Sequence, residues 1–368
     1  MKSHARAVVI GGGVVGVSTL YHLAKKGWTD SVLIERKELT SGSTWHAAGL
    51  LPLFNMSYSV GQIHKYSVRL YRELEAETGM NPGFSNVTNI RLARTKDRWD
   101  EFLYYAGVAE TIGVPLNVLT PAQVKEIWPL CETDGVLGAI QHPEDGYIQP
   151  ADLTQALAKG ARDRGASIHR NTAVRAIERQ ASGEWLVRTD AGDILAEHVI
   201  SATGNFARRT GAMVGLNVPV IPVEHQYIVT EPHPAIQERR RQGLPEMGVL
   251  RESDSSWYMR EENGGKQMKS AIWRFLPPGK AERKRLSVPS KGQDAQHHPF
   301  RPHGHGRHLS GNDRTAETPP RPAFAAAADA VGGASAGQIP HSFRKGRRAL
   351  AVVFATGDER CAAARRPW

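Results

Sequence analysis

The protein has 368 residues, of which 40% are hydrophobic and 23% charged, so it is neither a mini-protein nor a fully disordered chain. Its two cysteines, Cys131 and Cys361, exclude a disulfide-stapled fold, and no apolar run is long enough to span a bilayer. We therefore expect one large or two modest domains in a reducing, cytoplasmic compartment, with no membrane attachment.

The net charge of +10 comes from the end of the chain. Residues 266–368 hold 19 Lys and Arg against 7 Asp and Glu, whereas residues 1–265 carry a net charge of −2. The basic character therefore says nothing about the first 265 residues. The tail also lacks the interleaved aromatic side chains that stack on bases, and we expect no nucleic-acid partner.

The chain opens with a dinucleotide-binding pattern. Residues 5–10 are an apolar, β-branched run that predicts a strand, and a Gly-x-Gly-x-x-Gly run at residues 11–16 leads into a predicted helix over residues 17–26. A second predicted strand, residues 31–34, ends in Glu35, which is placed to accept hydrogen bonds from a ribose hydroxyl. If the glycine run is considered by itself, the alternative is a turn that joins a strand to a helix and has only a structural role.

Each position of the glycine run has a physical role in such a site. Gly11 permits the tight turn, Gly13 lets a pyrophosphate approach the backbone, and Gly16 lets helix and strand pack closely. Val14 and Val15 are the cofactor-binding positions just before the predicted helix, and the free N–H groups of the helix N-terminus point at the phosphates.

The fingerprint alone does not separate NAD from FAD, because both contain the same ADP half. Residues 41–50 are rich in small side chains, so a long flat ligand can lie against their backbone. The alternative is a helix N-cap at Ser43 or Thr44, with His46 as an ordinary core histidine.

Residues 42–50, centred on His46, together with residues 11–16 and the pair Glu35 and Arg36, resemble the dimethylglycine dehydrogenase and sarcosine dehydrogenase family of flavoproteins. The match to the dimethylglycine members is the closer one. The resemblance implies FAD attached covalently through His46 to the flavin 8α carbon. It also places a group of further residues at the cofactor: Arg36, Gly42, Ser43, Thr44, Gly49 and Leu50.

The resemblance implies an α/β fold: a Rossmann-like FAD-binding domain with an inserted antiparallel-sheet substrate domain. We assign the FAD-binding parts to about residues 1–55 and 150–215, and the substrate-domain parts to about residues 56–149 and 216–265. Three elements are predicted in the inserted part: a helix over residues 59–78, a strand over 89–93 and a helix over 121–128.

Two later positions are placed near FAD by the resemblance. Val174 starts a strand whose backbone holds the adenine ring, and Gly204 closes a strand predicted over residues 197–202. An ordinary strand-to-helix turn at Gly204 is compatible with that role. Residues 145–150 are interpreted as structural turn chemistry before a helix over residues 151–165.

The candidate catalytic residues are His225 and Tyr258, which the resemblance places on two substrate-domain strands over the flavin. Oxidation of an N-methyl amine needs an unprotonated nitrogen, so groups that accept or organise that proton are useful there. The alternative is that each is a packed residue with one hydrogen bond. No residue is assigned to the substrate carboxylate, and no metal site is predicted.

The resemblance ends at Gly265, and residues 266–368 form a basic, proline-rich tail for which we expect disorder. There are three explanations of this tail: a basic arm that binds nucleic acid or an anionic membrane, an appendage without a role, or coding sequence read in a shifted frame. The frame shift is favoured because the break falls between strands that are predicted to pair. The fold is therefore expected to be incomplete at its C-terminal side.

The predicted function is FAD-dependent oxidation of dimethylglycine to sarcosine and formaldehyde by hydride transfer. Sarcosine as the substrate and a truncated, non-catalytic flavoprotein are the two alternatives. The expected partner is a small N-methyl amino acid, the electron acceptor is unassigned, and no folate domain is visible in the sequence.

Overall fold

The computed structural model describes residues 2–51, 53–222, 228–230, 233–255, 257–264, 267–274 and 350–352. All of these residues belong to one compact unit. His225, the predicted strand over residues 223–227, and residues 275–349 and 353–368 of the tail lie outside the described residues.

Strands and helices alternate along the chain. The described strands are β1 (His4–Ile10), β2 (Ser31–Ile34), β3 (Leu50–Leu51), β4 (Asn89–Ala93), β5 (Asn117–Leu119), β6 (Gly138–His142), β7 (Gly146–Tyr147), β8 (Ser167–His169), β9 (Val174–Arg179), β10 (Trp185–Thr189), β11 (Gly192–Ser201), β12 (Ile228–Thr230), β13 (Val249–Glu252), β14 (Trp257–Gly264), β15 (Gln267–Arg274) and β16 (Leu350–Val352). The helices are α1 (Val14–Lys25), α2 (Tyr58–Thr78), α3 (Lys96–Ile112), α4 (Pro121–Ile127), α5 (Pro150–Asp163), α6 (Ala207–Ala212) and α7 (Pro234–Arg241).

The first sheet has the order β8-β2-β1-β11-β10-β9, with β16 beside the C-terminal half of β11. Strand β1 runs parallel to both β2 and β11, as a crossover through α1 requires. Its residues alternate between two cores: Val9 packs with α1 and α5, whereas Val8 and Ile10 pack with β9 and β10. The α/β fold and Rossmann-like sheet predicted from the sequence are confirmed.

The second sheet has the order β12-β15-β14-β13-β4-β6-β5. Every described pair of neighbouring strands in it is antiparallel except one: β13 runs parallel to β4. The predicted antiparallel sheet is thus a mixed sheet. The physical reason is that β4 and β13 are separated by more than 150 residues, so no hairpin dictates their relative direction.

The two parts of the tail that the structure describes, residues 267–274 and 350–352, are strands. Strand β15 pairs antiparallel with β14 over its whole length, and β16 joins the first sheet beside β11. Residues 267–274 and 350–352 therefore differ from the disorder predicted for the tail. Ile272 and Trp273 are residue types with high strand propensity, which outweighs the surrounding polar composition.

The helices differ from the sequence prediction in several places, and two of the differences have a clear local cause. Helix α1 begins at Val14, three residues earlier than predicted, because Gly16 lies inside its first turn. Helix α3 is absent from the sequence prediction, although Thr95 caps it by accepting a hydrogen bond from Arg98 N and Gly113 ends it in a left-handed conformation. Among the described residues, no helix combines the length and apolarity needed to cross a membrane.

Candidate cofactor and substrate site

The turn between β1 and α1 leaves no room for side chains. Gly11 has φ +115°, and a Cβ there would lie 2.4 Å from the carbonyl oxygen of Ala202. A Cβ on Gly16 would lie 1.9 Å from the carbonyl oxygen of Gly11. The turn and packing roles predicted for these two glycines are therefore seen directly in the backbone.

Substituting Gly11→Ala is expected to lower the free energy of unfolding by about 3 kcal/mol, from a left-handed backbone penalty of about 1–2 kcal/mol and an overpacking penalty of similar size. The matched control is Gly107→Ala at an exposed position of α3, where an added Cβ meets nothing within 4 Å. That substitution is expected to stabilise the protein by about 1 kcal/mol. Urea unfolding of both variants measures this, and equal effects would contradict the explanation.

The N-terminus of α1 fits a diphosphate. Gly13 at the N-cap brings no side-chain hydrogen bond, and the first turn carries no acidic residue. The N–H of Val14 donates to Thr44 Oγ1 at 3.0 Å, and a Cβ on Gly13 would lie 3.0 Å from that same oxygen. The positive end of the helix dipole and a backbone without side chains together suit the pyrophosphate of FAD.

Glu35 is held at the end of β2 against the glycine turn. Its Oε2 accepts from Gly12 N at 2.6 Å, and its Oε1 accepts from Lys37 N at 2.9 Å. Its carbonyl oxygen accepts from Thr172 N at 2.9 Å, two residues before Val174 begins β9. The chain just before β9 is therefore hydrogen-bonded to Glu35 at the end of β2, and the roles of Glu35 at a ribose and Val174 at an adenine stay predictions.

Arg36 lies against the ring that follows Gly204. The guanidinium carbon of Arg36 is 3.8 Å from the ring centroid of Phe206, a cation–π contact. Gly204 itself has φ +52°, which turns the chain from β11 into a short 3-10 helix. Arg36 and Gly204 are thus on elements that touch, as a shared role at one ligand requires.

The segment that carries His46 is a series of turns rather than the buried helix given as the alternative. Two hydrogen bonds hold this segment: Thr44 Oγ1 accepts from Val14 N at the start of α1, and Ser43 Oγ accepts from Asn205 Nδ2 at 3.1 Å. His46 is exposed, and its Nδ1 lies 3.0 Å from the carbonyl oxygen of Gly42. A carbonyl can only accept, so this contact suits the neutral tautomer that has its hydrogen on Nδ1 and its lone pair on Nε2.

Gly49 and Leu50 carry the chain from His46 into the small sheet formed by β3 and β7. Gly49 has φ +70°, and a Cβ there would lie 1.9 Å from the carbonyl oxygen of Ile148. Leu50 pairs with Tyr147 across the small β3-β7 sheet. Tyr258, which is 6% exposed, packs against Ala48 and Leu50. The predicted flavin-attachment segment and the predicted catalytic Tyr258 are therefore in direct contact.

Buried charged residues around Tyr258 were not predicted from the sequence. Arg251 is the direct cross-strand neighbour of Tyr258, with its guanidinium carbon 5.2 Å from the ring centroid. Arg260 lies 4.1 Å from the ring centroid of Tyr147, whose hydroxyl donates to Glu246 Oε1 at 2.9 Å. Arg260 follows Met259 in the strand predicted for Tyr258, whereas Arg251 stands between Leu250 and Glu252, where no strand was predicted, so no sequence signal pointed to Arg251.

Asp145 is a buried carboxyl group near this site and was interpreted from the sequence as a turn residue. Its Oδ2 accepts from Leu53 N at 3.0 Å, and its Oδ1 accepts from Gly146 N at 2.6 Å. Burial raises the pKa of Asp145 to about 7, although these N–H donors and the charges of Arg91 and Arg251 act in the opposite direction. Asp145 thus joins β7 to the segment that follows β3.

Comparison with known proteins identifies the family. Residues 6–336 match the family described as DAO, FAD dependent oxidoreductase. The chain is 42% identical over 264 residues to mitochondrial dimethylglycine dehydrogenase of Rattus norvegicus, covering 72% of this chain and 30% of that protein. It is 35% identical over 287 residues to mitochondrial sarcosine dehydrogenase of Homo sapiens, covering 74% of this chain and 30% of that protein.

Among solved structures, glycine oxidase from Geobacillus kaustophilus superimposes with a TM-score of 0.62 at 28% identity, covering 78% of this chain and 75% of that one. The chain spans about 30% of the length of the dehydrogenases that it matches. The family match also extends past Gly265, where the sequence resemblance was expected to end. Because the family model matches residues 6–336, the chain belongs to the DAO family of FAD dependent oxidoreductases.

Proposed function

We propose that this FAD-dependent oxidoreductase removes an N-methyl group from dimethylglycine, giving sarcosine and formaldehyde. The observation that carries the proposal is the path of residues 42–50. That segment runs from the N-terminus of α1, past an exposed His46, to a contact with buried Tyr258. A cofactor that lies along this segment would have its phosphates at the N-terminus of α1 and its other end beside Tyr258.

Bound FAD supplies the two-electron oxidant for the N-methyl group, and hydrolysis of the oxidised methyl carbon gives the aldehyde. The chain's own residues must bind the amino acid, exclude water and take a proton from its nitrogen. We assign Tyr258 to this task from its burial beside Leu50, and His225 from the family resemblance. An N-methyl amino acid is the proposed partner, and the electron acceptor stays unassigned.

We further propose that His46 holds FAD covalently through Nε2. Support comes from the hydrogen bond of Nδ1 to Gly42, which leaves the Nε2 lone pair on the exposed side of the ring. The new bond joins Nε2 to the flavin 8α carbon. The methyl group and the imidazole each lose one hydrogen, and the two electrons pass through the flavin to dioxygen or another two-electron acceptor.

The test is turnover of the purified full chain with dimethylglycine and an artificial electron acceptor. Formaldehyde and sarcosine are expected to form in equal amounts. Tyr258→Phe and His225→Ala are each expected to lower kcat by about 100-fold or more, because they remove groups that handle the amine proton. Arg188→Met, an exposed position on β10, is the control and should leave turnover unchanged.

Two results would contradict this proposal. Faster oxidation of sarcosine than of dimethylglycine, with glycine as product, would favour the sarcosine dehydrogenase alternative, which has support from the second relative described above. Bound flavin with no turnover of either amino acid would favour the non-catalytic alternative.

A further inference from the structure

A crevice of about 460 Å³ lies between α6 and the chain that follows this helix. Its apolar lining comes from Phe206 at the N-cap of α6 and from Val220, Ile221 and Pro222. Phe206 is 44% exposed and Ile221 is 83% exposed, although both side chains are large and apolar. Exposed apolar side chains that line a concave surface are typical of a ligand-binding site.

The crevice also carries two positive charges. Arg208 and Arg209, which are both exposed, line it from α6. In the part of the chain that the structure describes, no hydrogen bond or ion pair joins either side chain to another residue. Residues 203–222 contain no Asp or Glu, so no acidic side chain of this segment offsets the two charges. Arginine keeps its proton under all ordinary conditions, and the positive charge of the crevice is therefore permanent.

The crevice adjoins the cofactor site described above but is built from other residues. Asn205, which also lines the crevice, donates from Nδ2 to Ser43 Oγ at 3.1 Å. Among the described residues that line it, none belongs to the glycine turn or to residues 42–50, and Glu35 is not one of them. A ligand in the crevice would therefore touch a side chain that holds residues 42–50 and leave the phosphate-binding turn open to FAD.

We propose that this crevice binds a small amphipathic anion, an apolar chain with a carboxylate or phosphate head, as a second ligand of the protein. The chain displaces water from Phe206 and Ile221, and the anionic head pairs with the arginine side chains. A concave lining favours a small molecule over a membrane surface, which takes up the apolar face of a helix. The inference does not depend on the proposed reaction, since none of these residues is assigned to the amine.

The experiment is calorimetric titration of the full chain, with FAD at saturation, by octanoate, octyl phosphate and uncharged octanol. We expect both anions to bind more tightly than octanol, and the tighter anion identifies the head group. In the double variant Arg208→Met, Arg209→Met, anion binding should weaken by roughly 10–100-fold, the usual effect of losing hydrogen bonds to a charged group, and octanol binding should not change. Ile221→Ser should weaken the binding of all three ligands by about 10-fold, because it removes buried apolar contact.

Arg162→Met is the matched control, because Arg162 is an exposed arginine of α5 that does not line the crevice. This variant should bind all three ligands as the unaltered protein does, and circular dichroism should match in all variants. Equal anion affinity in the double variant and the unaltered protein would overturn the assignment, as would absence of anion binding to the unaltered protein.

Release of FAD by octanoate would also overturn it, because the crevice would then be part of the cofactor site. The titrations measure binding alone, so a failure of dimethylglycine turnover would contradict the proposed reaction and leave this assignment in place.

Discussion

A His46→Ala variant is expected to carry no covalently bound flavin. After acid denaturation, the unaltered chain should have its own mass plus that of one FAD and should keep the flavin absorption bands, whereas the variant should have the apo mass. The reason is that the substitution removes the exposed Nε2 and leaves in place the hydrogen bonds of Thr44 to the start of α1 and of Glu35 to the glycine turn. The variant should therefore still bind FAD reversibly and be yellow before denaturation.

His4→Ala is the matched control, since His4 is also exposed but lies at the start of β1. It should keep the covalent flavin in full. A His46→Ala chain that retains the added mass would mean that another residue forms the bond. An unaltered chain that is yellow when folded and has the apo mass when denatured would show that FAD binds without any covalent link.

The sequence predicts the nucleotide-binding half of the site because each of its parts is required by the local backbone. Gly11 must adopt a φ that other residues avoid, and Gly16 must let a helix touch a strand. Both demands leave a visible mark in one short run of residues. Glu35 is predicted for the same reason, since a strand of known length delivers it to the end of the same sheet.

The substrate side was predicted less completely because long-range pairing assembles it. Arg91 and Arg251 become neighbours only through the parallel β4-β13 pair, whose strands are far apart in sequence. Asp145 has the composition of a turn residue, and its burial becomes evident only when the segment after β3 packs against β7. Periodicity within a single strand or turn contains no information about either arrangement.

Asp145 is expected to make the stability of the protein depend on pH. Its pKa is raised from 3.8 to about 7 in the folded protein, so folding favours the protonated form. This contribution to stability is full below pH 4 and is lost as the pH rises through 7. Relative to Asp145→Asn, which cannot titrate, the free energy of unfolding should fall by up to about 1.4 kcal/mol per pH unit within that window.

The comparison with Asp145→Asn is needed because a neighbour titrates in the opposite direction. Burial lowers the pKa of His142 to about 4, so its contribution to stability is lost as the pH falls. The two effects partly cancel in the unaltered protein, and only the difference between the two proteins isolates Asp145. Asp134→Asn, at an exposed turn, should keep the pH dependence of the unaltered protein. Urea unfolding between pH 4.5 and 8 measures the free energy of unfolding of the unaltered protein and both variants. If the difference in this free energy between the unaltered protein and Asp145→Asn does not change with pH, Asp145 stays charged in the folded protein. The N–H groups of Leu53 and Gly146 and the charges of Arg91 and Arg251 would then stabilise the carboxylate.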